Sequence, residues 1–203
     1  MPGKSLEALR RAAKACRDCP LWAHATQTVF GEGAARARLM LVGEQPGDAE
    51  DREGHPFVGP AGRILDQALA QAGIERRTVY VTNAVKHFKW EPRGKRRLHK
   101  KPAQREIEAC HQWLDGELAT VKPALVVALG ATAAKALLGP KFRITQSRGK
   151  LVRTAGLPPV LATFHPSYVL RMKGRPGGEE VYATLVADLR AAARFIVQDK
   201  SGR

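Results

Sequence analysis

Two cysteines two residues apart, Cys16-Arg17-Asp18-Cys19, are the first residues in this chain whose type and spacing could do chemistry. Soft thiolates so placed suit zinc or an iron–sulfur cluster. A thioredoxin-like redox pair is disfavoured because no strand pattern precedes them. Two unliganded, buried thiols are the plainer alternative, since free cysteine often behaves as a small core residue. Cys110 is the third and last cysteine. It can supply a further ligand, and a fourth must then be a histidine: His87, His111 and His24 are the candidates. Residue chemistry leaves zinc and iron–sulfur both open. An odd cysteine count, with no apolar leader-like run over Met1–Arg11, reads as thiols kept reduced and not as a disulfide scaffold.

The second chemical feature is charge. The 203 residues hold 34 Lys+Arg against 19 Asp+Glu, a formal net charge of +15. Between Lys86 and Lys101 lie Lys86, Lys89, Arg93, Lys95, Arg96, Arg97, Lys100 and Lys101 against Glu91 alone, a net +7. Extreme basicity in a chain with 44% hydrophobic residues, enough for a core, points to a polyanion partner, foremost nucleic acid. Charge kept for solubility is the bland competitor. Pro92, Gly94 and Pro102 interrupt the basic stretch, so Glu91–Lys101 reads as a loop. Lysines and arginines there can neutralise backbone phosphates and release counterions. A second cluster, Lys141, Arg143, Arg148, Lys150 and Arg153, contains no acid and reads as solvated surface. The apolar runs, such as Ala124–Leu129, are too short to span a bilayer.

These groups need a frame. Ser5–Ala15 has helical spacing, with Leu6, Leu9 and Ala13 on one face and Ser5 as N-cap. Ala37–Gly43, Thr78–Asn83, Ala124–Gly130 and Val160–Thr163 read as buried strands. Gly62–Ala72, Ala103–Leu118, Ala131–Leu138 and Glu179–Val197 read as helices. Strands alternating with helices predict a three-layer α/β/α sandwich with a central four-stranded, mainly parallel sheet. Sites in such sheets gather beyond the strand C-terminal ends. Glu44–Glu50, Asn83–His99 and His165–Ser167 follow the first, second and fourth strands. The length fits one domain, residues 1–203.

Taken in order, these segments resemble the uracil-DNA glycosylase superfamily, its iron–sulfur family 4 type, and within that the branch called UdgX. The residues carrying the likeness are Gly43-Glu44-Gln45-Pro46-Gly47-Asp48-Ala49-Glu50-Asp51, Pro56-Phe57-Val58-Gly59-Pro60-Ala61-Gly62, Thr82-Asn83-Ala84-Val85-Lys86-His87-Phe88, Gly94-Lys95-Arg96-Arg97-Leu98-His99-Lys100 and His165-Pro166-Ser167. The resemblance implies a [4Fe–4S] cluster. In UdgX a histidine follows the lysine of the Thr-Asn-Ala-Val-Lys stretch, so the implied ligands are Cys16, Cys19, His87 and Cys110. It also implies that uracil-containing DNA, single-stranded for want of a wedging segment, is the substrate and free uracil a product. A monomer is the default reading of oligomeric state, and the cytoplasm, with nucleoid association through DNA, is the expected setting.

For the chemistry, the base must leave the stack and enter a pocket. The resemblance assigns Phe57 to stack on it and Asn83 to read it, donating to O4 and accepting from N3–H, where cytosine presents the opposite pattern. Gly43 and Asp48 line the base site, and Glu50 stands where the family excludes thymine's methyl group. His165 would stabilise negative charge developing on O2, and Glu44 would face the cationic sugar. Lys95, Arg96, Arg97, Lys100 and Ser167 would contact DNA or hold its loop, with Gln45 helping to position that loop. The sharpest implication concerns His99. Its UdgX counterpart attacks the sugar C1′ after uracil leaves, so the protein remains joined to the abasic strand. Flanking cations favour the neutral, nucleophilic ring. Leu98 stands where that motif usually has Ile, a volume-conserving exchange, and the Trp90–Gly94 stretch is short. A turnover glycosylase using water, and a non-catalytic uracil-DNA binder, are the competing expectations.

Overall fold

The computed structural model describes residues 5–201; of the Met1–Arg11 stretch, residues 1–4 lie outside the described residues. The first helix, α1 (Leu6–Lys14), begins where Ser5 Oγ accepts from Ala8 N at 3.2 Å, the expected cap. A two-residue strand β1 (Glu32–Gly33) leads to β2 (Leu39–Gly43), a short helix α2 (Asp48–Glu53) and α3 (Pro60–Gln71). Next come β3 (Tyr80–Asn83), β4 (Trp90–Arg93), β5 (Arg96–His99) and the long α4 (Gln104–Val121). The chain continues through β6 (Leu125–Leu129), α5 (Ala131–Leu138), α6 (Ile144–Ser147), β7 (Leu151–Val152) and β8 (Val160–Thr163). It closes with α7 (Pro166–Met172) and α8 (Gly178–Ser201).

The sheet order is β1-β3-β2-β6-β8-β7. The inner four strands are parallel and are the four expected from sequence. Two-residue antiparallel strands border them, making six; runs that short leave no periodicity to read. Both sheet faces are covered, which is why the inner strands are apolar throughout. Leu39 and Leu41 pack with Leu65 and Leu69 of α3, Val169 of α7 and Leu185 and Leu189 of α8. Met40 and Val42 point the other way, to Leu114 and Leu118 of α4 and Ala133 and Leu137 of α5. A third cluster seats Leu9 and Ala13 of α1 against Ile107, Cys110 and Trp113 of α4. Among the described residues no helix is long and apolar enough to cross a membrane.

The basic stretch is not a loop. β4 and β5 form an antiparallel hairpin of their own, pairing Trp90 with His99 and Arg93 with Arg96. Pro92 is compatible because the hairpin is all edge, where a missing N–H leaves no ladder broken. Gly94 and Lys95 make the two-residue turn, and Gly94 takes a positive φ of 56°. The hairpin hangs from the C-terminal side of β3. The Lys100 N–H donates to Lys89 O at 2.9 Å and closes its base.

The chain runs from β2 to β3 on one side, then crosses to β6 and β8 on the other. This reversal opens a crevice beyond the carboxyl ends of β2 and β6, where open α/β sheets bind ligands.

Candidate active site

A cavity of about 810 Å³ occupies that crevice. Its lining includes Glu44, Gln45 and Gly47 after β2, Phe57 before α3, Asn83 at the end of β3, His99 of the hairpin, Thr132 of α5 and His165 after β8. Sequence positions far apart thus converge because every parallel strand ends on the same edge.

Gly43 and Asn83 are register partners on adjacent strands. A Cβ on Gly43 would lie 2.3 Å from Asn83 Oδ1 and 2.6 Å from the Phe57 ring, so only glycine lets these two side chains share the floor. Asn83 is 2% exposed. Its Oδ1 is one of two buried side-chain N or O atoms without a hydrogen-bond partner among the described residues, the other being Arg38 Nε. Phe57 is buried and holds a positive φ of 59°, an unusual conformation for an aromatic residue. Gly62 permits it, since a Cβ there would meet Phe57 O at 1.8 Å. The Phe57 ring centroid is 6.0 Å from that of His165.

His165 caps α7, and its Nδ1 accepts from the Ser167 N–H at 3.1 Å. A nitrogen that accepts carries no proton, so the neutral ring carries it on Nε2. Burial, helped by the nearby His99 and Arg171, lowers the ring's pKa to about 4. At neutral pH His165 is therefore an uncharged Nε2–H donor. Ser167, expected at the DNA, works as the partner that fixes this tautomer, its Oγ 2.8 Å from Nδ1.

Glu44 is held at the start of α5 by the Thr132 hydroxyl, which donates to Oε2. Its other oxygen lies 3.5 Å from His99 Nε2. Gln45 clasps the hairpin base. Its Oε1 accepts from Lys89 N at 3.2 Å, while Nε2 reaches Lys89 O at 3.2 Å, Lys100 O at 3.0 Å and His99 Nε2 at 2.9 Å. Thr132 was missed by sequence reasoning. A glycine ending a strand followed by a threonine at a helix start, Gly130-Ala131-Thr132, was the available signal.

Several expected contacts are placed differently. Arg97 does not face solvent: its guanidinium pairs with Asp48 at 2.5 Å and Asp51 at 2.6 Å, and its side chain is 13% exposed. It lies 5.4 Å from the centroids of both Phe88 and Trp90. Asp48 is thereby committed to Arg97 and Arg52, which hold its carboxyl below the usual range, and not to the base site. Glu50 touches the cavity, but its carboxylate accepts from Gly47 N at 3.1 Å and Gly59 N at 2.8 Å, bracing the two loops around it. Lys86 is buried with Glu117 at 2.6 Å, Lys89 pairs with Glu106, and Lys100 pairs with Glu91. Arg93, Lys95, Arg96 and Lys101 are the exposed cations of the stretch that make no ion pair among the described residues. The polyanion surface is thus smaller than the net charge of the stretch implied.

Cys16, Cys19 and Cys110 belong to one apolar cluster beside Val85 and Trp113. Lys86 N donates to Cys110 Sγ at 3.2 Å, and Trp113 Nε1 donates to Cys16 Sγ at 3.3 Å. Burial pushes the Cys110 thiol up to about 12, with the two other cysteines adding to the shift. Among the described residues no three His, Cys, Asp or Glu side chains sit close enough to hold a single metal ion. A cubane takes one ligand per iron, so its ligands stand further apart than those around one ion. His87 has chemistry that suits a ligand. Thr28 Oγ1 donates to Ala13 O at 3.2 Å, so it accepts from His87 Nε2 at 2.9 Å. That leaves the lone pair on Nδ1, and burial keeps the ring neutral. His111 instead meets Asp115 on the face of α4.

The profile of the uracil DNA glycosylase superfamily matches residues 30–190. A Type-4 uracil-DNA glycosylase of Thermotoga maritima is 37% identical over 195 residues, covering 96% of each chain. One from Pyrobaculum aerophilum is 38% identical over 173 residues, 82% of this chain and 85% of its own. A third, from Sulfurisphaera tokodaii, is 40% identical over 151 residues, 72% of this chain and 66% of its own. With the profile spanning the sheet, the cavity and most of the helices around them, this chain belongs to the uracil DNA glycosylase superfamily.

Proposed function

We propose that this protein excises uracil from DNA. The unpartnered Asn83 Oδ1 carries the reading. A buried acceptor left without a donor costs about 1–3 kcal/mol, and it lies in the cavity wall beside an aromatic ring. Uracil N3–H supplies the missing donor, and the Asn83 amide N–H meets O4. Cytosine has an acceptor at N3 and a donor at the 4-position, so it would face like groups at both points.

The roles then follow from the cavity. Phe57 stacks on the flipped base. As the C1′–N1 bond breaks, its electron pair leaves with uracil, and the His165 Nε2–H donates to O2 as charge develops there. A neutral donor serves, because nothing further need be deprotonated at neutral pH. Glu44, oriented by Thr132, sets a carboxylate toward the sugar as it becomes cationic.

The finer reading is that His99 then captures the sugar. A ring-nitrogen lone pair forms the bond to C1′, the sugar's positive charge passes to the ring, and loss of the remaining ring proton discharges it. Glu44 Oε1 beside Nε2, and the Gln45 clasp, support this placement. The product is an N-glycoside of imidazole, so it should persist and limit the protein to a single turnover, as in the UdgX branch. A [4Fe–4S] cluster on Cys16, Cys19, His87 and Cys110 would serve as a staple between α1, α4 and the segment leading to the hairpin. We take residues 1–203 to work as one domain and one monomer, on single-stranded DNA in the cytoplasm near the nucleoid.

The test is a denaturing gel of the protein mixed with a single strand containing one uracil. A heat-stable shifted band that His99→Ser abolishes, while excision continues, is the expected result. Alkali-labile product without that band would leave a turnover enzyme, and intact uracil DNA would overturn the reading altogether.

A further inference from the structure

The second basic cluster has no part in the site described so far. From Gly139 to Arg153 the chain carries no acid. Its five cations are not equivalent. Arg148 is taken up by Asp188 at 2.8 Å and lies 5.1 Å from the Phe164 ring centroid, and Arg153 lies over the Phe195 ring. Lys141, Arg143 and Lys150 are exposed and make no ion pair among the described residues. Arg143 is the residue that opens α6, and Lys150 Nζ reaches Gln146 O at 3.5 Å, at the other end of that helix. Arg143 and Lys150 therefore flank α6, Lys141 precedes it in the chain, and Ile144 and Thr145 of α6 line the cavity.

The topology sets them across the cavity from the hairpin. The hairpin extends from β3, whereas α6 lies between β6 and β8 in the chain and packs beside β8. Between β3 and β8 stand β2 and β6. Three strand spacings separate the two sides, roughly 14 Å at the C-terminal edge of the sheet. One side presents Arg93, Lys95, Arg96 and Lys101, the other Lys141, Arg143 and Lys150, with the mouth of the cavity between them.

We propose that Lys141, Arg143 and Lys150 on the α6 segment form a second phosphate-binding jaw, holding the DNA backbone on the side of the extruded nucleotide away from the hairpin. A strand that delivers one nucleotide into a cavity continues in both directions from it. Cations on one rim would leave one flank unheld, and the pivot for extrusion would be loose. This inference rests on the glycosylase reading for its ligand but not for its measurement.

The experiment measures binding of a fluorescein-labelled single-stranded oligonucleotide across 50–200 mM salt, a range typical for such contacts. Its uridine carries a 2′-fluoro group, which resists glycosidic cleavage. Lys141→Gln/Arg143→Gln is compared with Arg36→Gln/Lys122→Gln, a pair of exposed cations on the opposite, N-terminal edge of the sheet. Each lost contact to a single strand lowers the slope of log K against log salt by about 0.7. The first pair should reduce the slope by about 1.4, so that over a fourfold salt range the variant loses about sevenfold less affinity than the parent. The control pair should leave the slope unchanged. An unchanged slope in the first pair, or an equal fall in both, overturns the jaw. Excision of ordinary uracil by the parent is measured separately: its absence refutes the glycosylase reading, whatever the slopes show.

Discussion

Removing Glu117 should cost this protein more than removing any exposed charge. Glu117 is fully buried and accepts from Gly31 N at 3.0 Å, Tyr80 OH at 3.0 Å, Thr82 Oγ1 at 3.0 Å and Lys86 Nζ at 2.6 Å. Lys86 Nζ spends its other two protons on Thr82 Oγ1 and Asn83 O, each at 2.7 Å. The carboxylate thus holds the lysine that holds the backbone of Asn83 in the cavity wall. Glu117→Leu leaves an ammonium without a counter-charge in the interior, at a cost of about 3–5 kcal/mol. A domain's whole stability is about 5–15 kcal/mol, so this is a large fraction of it. Lys86→Met strands the carboxylate and should cost a similar amount. The double variant removes both charges and leaves neutral donors and one carbonyl short of partners, at about 1–3 kcal/mol each, but the single variants leave the same groups short between them and each adds a bare charge. It should therefore be destabilised by much less than the sum of the single variants. Urea unfolding of the four proteins measures the cycle, with unchanged slopes confirming a common unfolded state. Additive costs, or a Glu117→Leu variant within about 0.5 kcal/mol of the parent, typical of surface changes, would refute the argument that this pair is mutually dependent.

Gly62→Ala places a methyl group against Phe57 O and must displace Phe57; at about 2 kcal/mol of overpacking, kcat/KM for uracil excision should fall by roughly 30-fold, and parent-like kinetics would refute a role for Gly62 in placing Phe57. The depressed pKa of His165 means that the unfolded chain takes up a proton below about pH 6.5 that the folded chain refuses until about pH 4. Stability owed to this residue is therefore full above pH 6.5 and is lost as pH falls toward 4, by on the order of 3 kcal/mol. Urea unfolding of the parent and His165→Gln across that range tests it, the difference between them shrinking on acidification, and nitrogen-15 shifts should show protonated Nε2 at neutral pH. His87→Ala should lower iron content and visible absorbance in the purified protein; full loading would move the fourth ligand elsewhere.

The four inner strands were legible because burial on both faces leaves unbroken apolar runs, and Ser5 was legible because an N-cap is a local signal. The hairpin was not. Pro92 and Gly94 look like breakers until it is known that the pair has no neighbours, which is a property of the fold and not of the segment. Helix α7 was missed although Pro166 at its first position is a start signal, because His165-Pro166-Ser167 read as a motif and not as a cap. Charges misled most. Lys86 and Arg97 looked like surface cations, and their partners lie 31 and 46–49 residues away. Ion pairing at that separation is decided by topology. The cavity residues themselves were largely foreseen, since strand ends in a parallel sheet must converge.

The base of the hairpin has one more consequence. Lys89 and Lys100 are hydrogen-bonded to each other, and residues 90–99 pair with no other strand. The segment between them is a cassette with adjoining ends. Replacing it with a tight two-residue connection would take His99 out of the cavity wall and would leave Asp48 and the buried Asp51 without Arg97. Conversely, the same ten residues are a portable unit. A pocket of this fold that lacks them could receive them by insertion at one point, provided that a glutamine after the first parallel strand clasps the base and two carboxylates receive the arginine.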